Sequence, residues 1–106
     1  MSLMATTVSF ANNATAQQFY AAGKYQEALA EYHRLVVSNP VAANYLGLAQ
    51  TYIKLNHTIH AIKALNDGIA CNPQSIDLQI MLAQTYLGTH KTDAAKNIVE
   101  PLYQNH

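Results

Sequence analysis

The 106-residue chain carries six basic and six acidic side chains, and its 50% apolar content suits a small packed domain and excludes a disordered one. Six scattered basic residues build no phosphate-binding surface, and no apolar run approaches the ~18 residues of a membrane span, so neither nucleic acid nor membrane insertion is expected. The lone cysteine, Cys71, excludes an internal disulfide and any multi-cysteine metal site.

The chain opens on Met1 to Ala11, apolar with Ser and Thr and without charge, and lacking the basic start of a complete signal peptide. Residues 1–8 read as a flexible leader. A second reading makes Met4 to Ala16 the tail of a signal sequence, because Ala14-Thr15-Ala16 is an A-x-A-like tripeptide. The neutral, Asn/Gln-rich composition suits a bacterial envelope protein as well as a cytoplasmic one.

From there on, apolar residues recur three and four apart. Tyr45, Leu48, Ala49 and Tyr52 share one helix face, and Ile59, Ile62, Leu65 and Ile69 share another. Asn56-His57-Thr58 interrupts the pattern between them, and Asn72-Pro73 ends it, since a proline pushes the preceding residue out of helical space. Gly23 falls in an earlier turn, where a positive φ is often needed. These signals predict helices at about 10–22, 25–38, 42–55, 58–71, 75–88 and 92–104. Pro101 lies inside the last of them and predicts a kink or an early end. Strands are not expected: nothing alternates for long and alanine is abundant.

The helices come in repeated pairs. Leu48-Ala49-Gln50-Thr51-Tyr52 returns 34 residues later as Leu82-Ala83-Gln84-Thr85-Tyr86, and Ala61 returns as Ala95. An earlier unit fits 33 residues back, with Ala16, Phe19, Ala28 and Asn39-Pro40 standing for Ala49, Tyr52, Ala61 and Asn72-Pro73. Three units result, at about 9–41, 42–75 and 76–106.

This pattern resembles the tetratricopeptide repeat family. The middle unit matches at Tyr45, Leu48, Ala49, Tyr52, Ala61, Leu65 and Pro73. The first unit departs at Asn12 and Thr15, and the third lacks the closing proline. The resemblance implies an all-α fold, a right-handed superhelical stack of three antiparallel helix hairpins. It also implies a non-catalytic module that binds a protein partner, as an extended peptide or a partner helix, in a concave groove lined by the first helix of each unit. Projected onto this chain, the groove takes Asn13, Gln17 and Tyr20 from the first unit. The second supplies Leu46, Gln50, Ile53 and Lys54, and the third Ile80, Gln84 and Leu87. Gln17, Gln50 and Gln84 form a row that can donate to and accept from peptide backbone, beside an apolar row of Tyr20, Ile53 and Leu87. The carboxylate grip of one familiar subclass is not assembled, since only Lys54 and Asn13 are suitable. As an alternative, an apolar stripe of Ile98, Val99, Leu102 and Tyr103 on the last helix points to self-association, as a homodimer or as part of a longer array.

Other residues carry less. His57 and His60 stand three apart, but zinc needs a third converging ligand, and the five histidines read as structural or surface residues. Cys71 is expected to be a small residue, buried or half-buried. The carboxylates are scattered over different helices, with no pocket to pair them for acid–base work. Glu27 and Glu31 read as a solvated strip with Lys24 and Arg34. Asn13-Ala14-Thr15 and Asn56-His57-Thr58 match the glycosylation sequon weakly. No enzyme, cofactor or metal is expected.

Overall fold

The computed structural model describes residues 13–89 and 92–104. The expected leader, the first residues of the first expected helix, and His90, Lys91 and His106 lie outside them. Among the described residues there are six helices and no strand: α1 (Ala14–Ala21), α2 (Tyr25–Ser38), α3 (Ala42–Lys54), α4 (Thr58–Cys71), α5 (Ile76–Gly88) and α6 (Thr92–Gln104). The helices pair as α1 with α2, α3 with α4 and α5 with α6, and the pairs join through α2 on α3 and α4 on α5. The result is an elongated helical repeat solenoid, 52 × 28 × 18 Å.

Small residues set the spacing within each pair. Ala16 and Ala28, Ala49 and Ala61, and Ala83 and Ala95 are all buried, so each pair of helices closes over two methyl groups. Tyr32, Leu48, Tyr52, Leu65, Leu78 and Leu82 fill the space beside them. Tyrosines lie against glycines both between pairs, α2 on α3, and within one, α3 on α4. The Tyr32 ring covers Gly47, and Tyr45 covers Gly68, each leaving no room for a Cβ. Thr51 and Thr85, at equivalent repeat positions, return their hydroxyls to the carbonyls of Gly47 and Met81, both at 2.7 Å, and so enter the core with their polar groups satisfied.

The turns repeat too. Gly23 has φ +78° and Asn56, 33 residues on, has φ +63°. Each follows a helix and closes the same motif: Lys24 N–H donates to Phe19 O, and His57 N–H to Tyr52 O, both at 2.8 Å. This six-to-one bond needs a left-handed residue, which glycine and asparagine adopt at least cost. Asn56→Gly is expected to hold or raise stability. Asn56→Val is expected to cost about 1–2 kcal/mol, read as a lower thermal midpoint. At the opposite end of the stack, the Asn72 amide donates to Gly68 O at 3.1 Å and to Pro40 O at 3.0 Å, tying two successive inter-unit turns together.

Two expectations are corrected. Cys71 is exposed, because the buried stripe of α4 runs through Ala61, Ala64, Leu65 and Gly68 and leaves its last residue beside it. Helix α6 runs through Pro101 to Gln104 instead of ending early. The proline removes one backbone N–H bond, to the carbonyl four residues back, and only three helical residues follow it.

Cys71 Sγ lies 3.6 Å from the Tyr45 hydroxyl. That hydrogen bond, and then burial, pushes the Tyr45 phenol up to about 12 from an ordinary 10.0. The folded value is above the unfolded one, so the associated stabilisation is complete below about pH 10 and is lost as pH rises toward about 12. Cys71→Ala is expected to bring this phenol's titration down, measured by ultraviolet-monitored alkaline titration against the parent chain.

Candidate partner-binding surface

Helices α1, α3 and α5 form one layer of the stack and α2, α4 and α6 the other. Along the first layer the backbones of α1 and α3, and of α3 and α5, approach closely, whereas among the described residues no such approach links α2, α4 and α6. The first layer is therefore the tighter side. Helical spacing leaves one stripe of each first-layer helix off the core.

That stripe holds the residues expected to line a groove. Gln17, Gln50, Gln84 and Lys54 are exposed. So are Ile53, Ile80 and Leu87, at 43%, 41% and 52%. Ile76 of the same layer is open as well, at 44%, and on the second layer Val37 and Ile59 are open at 84% and 80%. Asn13, Tyr20 and Leu46 are half-buried. Leu46 and Tyr20 pack against the core, and the Tyr20 ring meets Tyr25 edge-on at 5.4 Å. Ile53 and Gln84 come together in a hollow of about 380 Å³ between the ends of α3 and α5. Its other walls are Asn56 from the turn, Thr58 at the start of α4, and Met81, Thr85, Gly88 and Thr89 from the α5 side. Leu46, Gln50, Lys54, Ile80 and Leu87 lie outside this hollow. Met81, Asn56 and Thr58 were not expected to line it. Met81 is legible only by its spacing from Thr85, and the other two only once the turn is built.

The second layer carries a different arrangement. A cleft of about 510 Å³ separates α2 from α4, with Tyr45, Leu48 and Tyr52 of α3 among its walls. Histidines gather around Tyr52. His33 Nε2 is 2.6 Å from its hydroxyl, and the His60 and His57 rings stack on it at 5.3 and 6.4 Å. Burial raises the Tyr52 phenol, with Lys63 pulling the other way. The histidines thus make structural contacts, one of them across units. Among the described residues no three His, Cys, Asp or Glu side chains converge to hold a metal ion. Glu31 pairs with Arg34 at 2.6 Å and Lys63 with Asp67 at 2.9 Å. Such exposed pairs contribute at most about 1 kcal/mol each.

On α6, Ile98, Val99 and Leu102 are half-buried, and Ile98 packs against the core. The Tyr103 side chain lies outside the described residues. Among the described residues no helix is long and apolar enough to cross a membrane.

Fold and surface together define a helical repeat solenoid of the tetratricopeptide-like kind. No protein-family model matches the chain, and no curated protein matches it in sequence. Solved structures do. The Yersinia enterocolitica type III secretion translocator chaperone SycD superposes with a TM-score of 0.80 at 18% identity, over 88% of this chain and 70% of that one. PcrH, solved in complex with the chaperone-binding region of PopB, superposes with a TM-score of 0.78 at 19% identity, over 87% of this chain and 75% of that one. At such identities the likeness is one of fold.

Proposed function

We propose that the chain is a non-catalytic protein-binding module that holds an extended segment of another protein along the α1, α3 and α5 layer. It would do so with three stacked units at about 9–41, 42–75 and 76–106. The observation that carries this reading is the exposed Gln row on three successive first helices, flanked by the open Ile53, Ile80 and Leu87 on the second and third of them. Glutamine amides can bond a peptide backbone on both its donor and acceptor sides. Ile53, Ile80 and Leu87 stand open to bury partner side chains. PcrH, which shares the fold, was solved with a binding region of its partner, and that supports the reading.

The substitutions Gln50→Arg and Ile53→Asp, made together, are expected to abolish capture of the native partner. Both positions are exposed, so the helical circular dichroism and thermal midpoint should stay within about 0.5 kcal/mol of the parent. Calorimetry with the captured protein measures the loss. Equal affinity of the double variant would remove the groove.

A further inference from the structure

The twelve formal charges are divided unequally between the two layers. Glu27, Glu31 and Arg34 belong to α2, Lys63 and Asp67 to α4, and Asp93, Lys96 and Glu100 to α6. Lys24 stands between helices, and Lys91 lies outside the described residues. Helix α1 carries no charge at all. Helix α3 carries only Lys54, its last residue, and α5 only Asp77, in its first turn. Because α3 and α5 run parallel, these two charges stand at opposite ends of the layer. Everything between them is uncharged, with amide, hydroxyl, hydrocarbon and the Met81 thioether, and the hollow at Ile53 and Gln84 has no charged wall.

We infer that the segment this layer accepts is itself uncharged over the stretch in contact, and that its binding is nearly independent of salt. The inference rests on the groove reading above. A partner Asp, Glu, Lys or Arg brought onto this face would lose water and meet no counter-charge, which is unfavourable unless the group is paired. An uncharged extended segment loses only amide hydration, which Gln17, Gln50 and Gln84 can replace. Charged residues flanking the segment reach Lys54 or Asp77 at the ends, or solvent. The second layer, by contrast, has charge enough to keep the module soluble without touching the partner.

The test is a displayed library of random extended peptides selected on the intact chain, with the folded Gln50→Arg, Ile53→Asp chain as counter-selection. Sequences captured only by the parent are expected to be several-fold depleted in Asp, Glu, Lys and Arg at their central positions. Synthesised with capped ends, they should change affinity by less than about twofold between about 50 and 500 mM NaCl. A parallel chain with Gln50→Glu should shift selection toward peptides with a central Lys or Arg and restore a salt dependence. Groove-dependent peptides that carry central charges, or lose affinity steeply with salt, would overturn this inference and leave the groove intact. If no peptide distinguishes the parent from the double variant, the groove reading falls and this inference with it.

Discussion

Leu65→Ala is expected to lower unfolding stability by about 2–5 kcal/mol, the largest effect of any single substitution in the core. Leu65 is 0% exposed in the middle of α4, among the residues that α3 and α4 close over. The helix ends on either side are tied by backbone and Asn72 bonds, so the walls of the new cavity cannot collapse freely. A module of this size has total stability of the order of 5–15 kcal/mol, so the loss is a large share. Urea denaturation followed by circular dichroism measures it, with the midpoint falling and the slope nearly unchanged if unfolding stays cooperative.

Gly68→Val should follow, at about 1–3 kcal/mol. A Cβ at Gly68 would stand 2.7 Å from Tyr45 Cβ, 2.8 Å from Tyr45 Cγ and 3.2 Å from Leu78 Cδ1. Tyr45 Cβ is fixed to the α3 backbone and cannot rotate away, so α4 has to move from α3 and α5 together. Because the added atom meets Tyr45 inside its own hairpin and Leu78 of the next one, the strain falls on the hairpin first and on the stacking with it. Gly88→Ala is the matching control. Nothing lies within 4 Å of the added Cβ there, and the helix gains up to about 1 kcal/mol from the better helix former. If both substitutions destabilised equally, the packing account of Gly68 would be wrong.

The helical frame was legible because it is written more than once. Periodicity places Tyr25–Ser38 and Thr58–Cys71 at their observed ends, and the repeated Leu-Ala-Gln-Thr-Tyr identifies Ala49 and Ala83 as contact residues before any packing is seen. Gly23 was legible as a left-handed turn because its residue type says so. Asn56 holds the same position by side-chain tolerance, and on sequence it is only an interruption. Contacts between units were not legible. The His33–Tyr52 bond spans 19 residues and the Asn72–Pro40 bond spans 32, and no local rule links such pairs. Cys71 was misjudged because apolar character alone does not say which side of a helix end faces the core. On the candidate surface, spacing predicted the exposed Gln row. It could not predict the hollow at Asn56, Thr58 and Met81, which exists only where a turn of one unit meets a helix of the next.

The central claim is that the first-helix layer grips an extended polypeptide. Amide NMR mapping of the chain, titrated with an uncharged groove-dependent peptide, tests it most directly. Shifts should concentrate at Gln17, Gln50, Ile53, Gln84 and Leu87, with the signals of Glu27, Arg34, Lys63 and Asp67 unmoved. Shifts confined to α2 and α4, or none along α1, α3 and α5 at saturation, would contradict it.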